Sequence, residues 1–164
     1  MSSHESTIEL VSTLSSETDG INHINIYSKA NTEIGRFLSN FHRVYLDTED
    51  GVFESVEGYW WWLLTNHREK DILRKLHGSG AKTIGTAIRN IDLDVDSNEE
   101  FKRKISATIT AKINNNEYML GLLIKTFPLP LMHYYNYGGK IVIPKKHIWV
   151  MDVINNLRSE ALKK

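Results

Sequence analysis

Glu57 stands two residues after Ser55 and just ahead of Tyr59, Trp60, Trp61 and Trp62. Ser55 has the side chain of a helix N-cap. As the second residue of the helix that follows, Glu57 would lie beside amides with no intrahelical partner and at the positive end of the helix dipole. Such a place holds a carboxylate ionised and fixes its direction, as a base or a stabiliser of a developing cation requires. First-turn acids also occur simply because they stabilise helices, so residue type alone leaves both readings open. Three consecutive tryptophans sweep through roughly 200° of a helix and cannot all face one core. At least one should line a cleft or the surface, where a flat indole beside a carboxylate could stack on a base or a nicotinamide-like ring. The alternative is core packing plus a second packing contact.

Other segments could complete such a site. In Ser39-Asn40-Phe41 the asparagine offers two donors and an acceptor for a sugar hydroxyl or a base edge. Lys29, next to Ser28, could contact a phosphate or attack an opened sugar as an amine. Turn chemistry with a solvated lysine explains the same residues. Tyr134 to Gly139 reads as an aromatic, glycine-ended loop, either a polar-tipped wall that a ligand can approach or a surface turn. Lys140, Lys145 and Lys146 follow it as a basic cluster. No P-loop pattern, HExxH spacing or Gly-x-Ser-x-Gly elbow occurs. The seven histidines are scattered, and His67 and His77 read as solvated or capping residues.

The elements that must position these groups fit one domain. The chain has 164 residues, 41% hydrophobic and 24% charged, enough for a core without metal or disulfide. It has no cysteine, which excludes thiol catalysis and fits a reducing cytoplasm. Twenty basic and twenty acidic side chains cancel, so nucleic acid would be held by a local patch and not by bulk charge. No apolar run approaches the ~20 residues of a membrane span. Residues 1–20 read as a flexible or marginally helical leader to a domain over residues 21–164. A short strand is expected over residues 21–27 and a hairpin around Asp50-Gly51. A long helix should run from Ser55 through Leu73 and Leu76 and end at Gly78-Ser79-Gly80, with a short helix from Ala81 to Arg89 after it. Ser97 to Glu100 reads as a capping box that opens a helix with Phe101, Ile105, Ile109 and Ile113 inward. A helix over Glu117 to Lys125, stopped by Pro128 and Pro130, a brief strand from Ile141 to Ile143 and a last helix from about Lys146 to Leu162 complete a mainly helical α+β domain.

In order and spacing, these segments resemble the NADAR/YbiA-like N-glycosidase family. Ile24-Asn25-Ile26-Tyr27-Ser28 followed by Leu38-Ser39-Asn40-Phe41 is similar to the family's INFYS…SNF opening. Phe53 to Trp60 resembles the block that carries its catalytic glutamate, placing that role on Glu57. Ala81-Lys82-Thr83-Ile84-Gly85 is similar to its AKxxG helix, Tyr137-Gly138 to its late WG pair, and Val153 to Arg158 to its terminal helix. The resemblance spans roughly residues 22–158. The chain departs from the pattern at Thr86, where the family has arginine, and at Asp96, near a frequent tryptophan. Asn136 sits beside the place of an acidic residue, and His147-Ile148-Trp149-Val150 replaces the opening of the last helix.

The resemblance implies a compact, mainly helical α+β domain with a small β-sheet and a pocket around Glu57. It implies cleavage of a ribose C1–N bond, either releasing ADP-ribose from guanine in DNA or acting on a free ribosyl amine such as a riboflavin-pathway intermediate. A binding module that has lost turnover is the third reading. Glu57 would stabilise the cationic ribose or activate water, and Asn40, with Ser28, Ser39 and Phe41, would position the sugar. Tyr59, Trp60 or Tyr137, beside Gly138, would stack on a base. Lys29 would bind phosphate, or act catalytically by capturing the opened sugar as a Schiff base. No metal or other cofactor is expected. The partner is ADP-ribosylated DNA or an ADP-ribose-like small molecule. A member standing without a toxin domain would counter a defence or carry out repair, for instance in a phage.

Overall fold

The computed structural model describes residues 14–164. Most of the expected leader, residues 1–13, lies outside the described residues. Residues 16–18 form a turn of 3-10 helix capped by Ser15, and Asp19 is buried. Its two carboxylate oxygens accept the backbone amides of Asn25 and Asn31 at 2.8 and 2.9 Å.

Strand β1 (Ile24–Asn25) pairs in parallel with the distant β4 (Leu131–Met132), with Ile24 opposite Leu131. Asn25 prolongs this ladder with its side chain, donating to the Tyr134 carbonyl and accepting the Tyr134 amide. Helix α1 (Glu33–Leu38) begins at Thr32, whose hydroxyl accepts the Gly35 amide. The expected hairpin is β2 (Leu46–Thr48) against β3 (Gly51–Phe53), closed by Glu49-Asp50. Each strand pair is a separate two-stranded sheet, so the small sheet of the sequence reading is split. Helix α2 (Val56–Trp62) starts at Ser55 as expected, with the Ser55 hydroxyl accepting the Gly58 amide at 2.9 Å.

The long helix expected from Ser55 to Leu76 does not form. Helix α2 stops at Trp62, and Lys70–Lys75 is a separate 3-10 helix. The reason is that the backbone groups needed for continuation are used elsewhere. The Leu64 carbonyl accepts the amides of Asn90 and Ile91, and the Thr65 hydroxyl donates to the Ile88 carbonyl while accepting the His67 amide. Leu73 is fully buried all the same, which is why the apolar period resembled one helix. Gly78-Ser79-Gly80 opens helix α3 (Gly78–Ile88) instead of ending its predecessor. Gly78 has φ 59°, a left-handed conformation that glycine adopts freely, and its amide reaches the Phe41 carbonyl.

Helix α4 (Glu99–Asn114) is central, with Phe101, Ile105, Ile109 and Ile113 at most 3% exposed. Its cap lies one residue later than the sequence suggested. The Asn98 side chain, not Ser97, accepts the Phe101 amide, and Glu100 pairs with Arg103 in place of a cap amide. Asn98→Ala should therefore cost about 1 kcal/mol of unfolding free energy in urea titration, and Ser97→Ala only a few tenths. Helix α5 (Glu117–Lys125) buries Leu123. The segment expected as an aromatic loop is instead a hairpin, β5 (Tyr135–Tyr137) against β6 (Lys140–Val142). Gly138 and Gly139, at φ 58° and 88°, give the two left-handed residues that a tight antiparallel turn requires. Helix α6 (Ile148–Leu162) closes the fold against α4 and α5. Among the described residues no helix is long and apolar enough to cross a membrane.

Candidate functional site

The first turn of α2, the segments 26–29 and 38–41, the start of α3, the β4–β5 strands and the start of α6 enclose a cavity of about 700 Å³. Glu57 lines it and is half-buried, so its side chain is largely enclosed by protein while still bordering the cavity. Its backbone amide donates to the Asn40 carbonyl at 3.0 Å, which pins the Ser39-Asn40-Phe41 segment over the helix start. A second tie comes from Lys112 of α4, whose Nζ donates to the Ser39 carbonyl at 2.9 Å. Among the described residues no carboxylate pairs with Lys112, and burial pushes its pKa down to about 7.

The Glu57 carboxylate bonds none of the helix-start amides. Oε1 accepts the indole N–H of Trp61, one turn on, at 2.8 Å. Burial raises the pKa of Glu57 above the usual carboxylate range, while the Trp61 bond and the Lys82 ammonium pull the other way. This corrects the expectation that the helix end would dominate. Withdrawal from water disfavours the charged form of a carboxyl.

Most of the expected site residues meet here. Ser28, Lys29, Ser39, Asn40, Phe41, Trp60 and Tyr137 all line the cavity with Glu57. Tyr59 does not. It is fully buried against Phe53, and its hydroxyl donates to Asp50 Oδ2 at 2.6 Å, so it is core and cannot stack on a ligand. Gly138 shapes the hairpin turn beyond the wall and is not part of the lining. The three tryptophans divide as the helical sweep requires. Trp60 lines the cavity and is 7% exposed, with one face stacked on Trp149 at 5.8 Å and 5°. Trp61 holds Glu57, and Trp62 turns outward to donate to Asp71 under the Lys70 ammonium.

Four further groups join the lining that residue types alone do not single out. Trp61 is one of three adjacent tryptophans. Lys82, in the Ala81-Lys82-Thr83-Ile84-Gly85 segment, is exposed and lines the cavity with Lys29 and with Lys146 of the basic cluster; Lys140 and Lys145 are not in the lining. His133 lies between β4 and β5, and His147 immediately precedes α6. His133 Nδ1 lies 2.6 Å from the Ile26 carbonyl. A carbonyl only accepts, so the proton sits on Nδ1 and the lone pair on Nε2. Burial lowers the affinity of His133 for a second proton. His147 is held by Asp96 through Nδ1 at 2.7 Å and through its backbone amide at 3.3 Å. Asp96 also accepts the Trp149 indole N–H. Two departures from the family pattern, at Asp96 and at residues 147–150, are thus in direct contact.

Chemically, the arrangement offers one half-buried carboxylate among the described lining residues, aromatic side chains, an asparagine and three exposed lysines. No family model matches the chain, and no curated protein matches its sequence. The fold is similar to that of the Escherichia coli protein YbiA, determined by NMR, with a TM-score of 0.63 over 91% of this chain and 94% of that one, at 18% sequence identity. The domain is therefore a mainly helical α+β domain of the YbiA-like fold.

Proposed function

We propose that this YbiA-like domain is an N-glycosidase that hydrolyses the C1–N bond of a phosphorylated ribose, releasing ADP-ribose from guanine in DNA. The observation that carries the reading is the half-buried Glu57 lining one cavity with the exposed Lys29, Lys82 and Lys146. Breaking a ribose C1–N bond builds positive charge on C1 and the ring oxygen, and a fixed carboxylate beneath them stabilises that state or takes a proton from the attacking water. Three ammonium groups at the opening suit a substrate whose reacting ribose enters first and whose phosphates trail outward. The volume lies within the ~300–1,000 Å³ of small-molecule sites, enough for ADP-ribose to enter while the nucleic acid stays outside.

Lys29 belongs with the phosphate. It is exposed, while Glu57, which marks the reacting carbon in this reading, is half-buried. Borohydride trapping under turnover, followed by mass mapping, is expected to give no adduct at Lys29; an adduct there would restore the Schiff-base role. Replacing Lys29, Lys82 or Lys146 singly by methionine should raise KM by about fivefold and change kcat little, since an exposed charge contributes up to ~1 kcal/mol. These losses should shrink as salt is added.

The deciding experiment incubates the protein with guanine-ADP-ribosylated DNA and, in parallel, with a panel of ribosyl-amine phosphates, and measures released ADP-ribose or ribose phosphate. Release from DNA supports the reading. Turnover of the small amines alone would move the substrate to a free metabolite, and measurable binding without turnover of either would leave a binding module.

A further inference from the structure

We propose that His147, oriented by Asp96, is the acid that protonates the departing nitrogen; the inference rests on the N-glycosidase reading above. An amine or guanine nitrogen is a poor leaving group as an anion, so the carboxylate under C1 meets only half of the reaction's demand. Something on the leaving-group side must deliver a proton. His147 lines the same cavity as Glu57. Trp60 lies one helical turn after Glu57 on α2, and the His147 ring packs against its indole at 5.0 Å between centroids. The two groups therefore flank one face of one helix.

The orientation of His147 is over-determined. Hydrogen bonds from the His147 ring and backbone and from Trp149 outweigh the effect of burial on Asp96 and hold its carboxyl below the usual range. Asp96 is thus an acceptor at neutral pH, Nδ1 must donate to it, and Nε2 is left without a partner among the described residues. Asp96 grips the His147 amide as well, at a backbone of φ 64° and ψ 30°. That is the one left-handed non-glycine residue among those described, and such a conformation in a bulky side chain persists where surrounding contacts impose it. His133 offers an Nε2 without a partner among the described residues too, but its Nδ1 partner is a neutral carbonyl and burial lowers its affinity for a second proton. It can accept a hydrogen bond in the cavity but is a poor proton donor.

In the step, the C1–N bond breaks and its electron pair goes to nitrogen, which takes the proton from His147 Nε2. Water adds its oxygen to C1 and gives its proton to Glu57. The products are the ribosyl hydroxyl and the neutral amine, and a proton returns from Glu57 to His147 through solvent.

The test compares leaving groups. ADP-ribose on guanine is paired with ADP-ribose carrying para-nitrophenolate at C1, and a ribosyl-amine phosphate with para-nitrophenyl ribose phosphate. Nitrophenolate departs without a proton. His147→Asn suits the left-handed backbone and keeps a donor for Asp96 while removing Nε2. It should lose about 100-fold or more on the amine substrates and no more than about 3-fold on the nitrophenolates. Asp96→Asn should show the same selectivity with a smaller loss, and Glu57→Gln should fall on both kinds. Melting curves confirm that the variants are folded, and His147→Gln replaces His147→Asn if the latter is not. Wild-type protein inert toward all four substrates would overturn the N-glycosidase reading and this inference with it. Activity in wild type with an equal loss, or no loss, on both leaving groups would overturn the role of His147 alone.

Discussion

Glu57→Gln is expected to fold, to melt at a higher temperature than the wild type at neutral pH, and to lose at least ~100-fold in turnover, the smallest typical cost of removing a positioned acid–base group. The activity loss follows from the place of the carboxylate, the one acidic group lining the cavity among the described residues, with Trp61 on Oε1. The stability gain follows from its surroundings. Burial raises its pKa in the fold, so the folded state binds the proton more tightly than the unfolded chain does. That preference stabilises the fold fully below the unfolded carboxylate's range and is lost as pH rises through the folded value. At neutral pH the ionised form is therefore a net cost, and a neutral amide of the same shape relieves it. Thermal unfolding of both proteins between pH 4 and 8 should show the difference growing with pH. An active Glu57→Gln enzyme would remove Glu57 from the chemistry. A variant less stable than wild type at pH 7 would mean that Trp61 and Lys82 hold the anion better than burial penalises it.

Much of this site was legible because its parts are local. Ser55 caps the helix it was expected to cap, and the Asn40 segment reaches Glu57 through one hydrogen bond. The inward face of α4 follows from its apolar spacing. What local pattern cannot show is where distant segments land. His133 arrives beside Ile26 through the parallel pairing of β1 with β4. His147 reaches Trp60 because Asp96, fifty-one residues earlier, seizes it. Neither contact has a signature in residue spacing, so the histidines looked scattered. The opposite error came from signals that were real but shared. Leu73 is as buried as a helical reading required, yet it sits in a 3-10 helix because Leu64 and Thr65 give their hydrogen bonds to residues 88–91. Glycine near a helix end usually closes it, but the left-handed Gly78 opens α3 by anchoring to Phe41.

Gly85→Ala should damage both stability and turnover, for a reason that joins packing to chemistry. Helices α2 and α3 touch closely where Gly85 meets Trp61, and a Cβ built at Gly85 would overlap Cβ and Cγ of that tryptophan. Those atoms are the root of the side chain and not its flexible end, so the helices must part or the indole must swing. Either response moves Nε1 from the Glu57 carboxylate. Overpacking of this kind costs about 1–3 kcal/mol, a fall of roughly 3–10 °C in melting temperature for a chain of this size. A displacement near 1 Å at a catalytic group can cost on the order of 100-fold in rate. Gly80→Ala, in the same helix, meets nothing within 4 Å and should be neutral or stabilising by up to about 1 kcal/mol, because alanine is the better helix former. The pair separates two roles for Trp61. If Gly85→Ala destabilises the fold but leaves turnover at the level of Gly80→Ala, the tryptophan merely fills space between α2 and α3. A joint loss of stability and rate is the outcome expected if its indole aims the carboxylate.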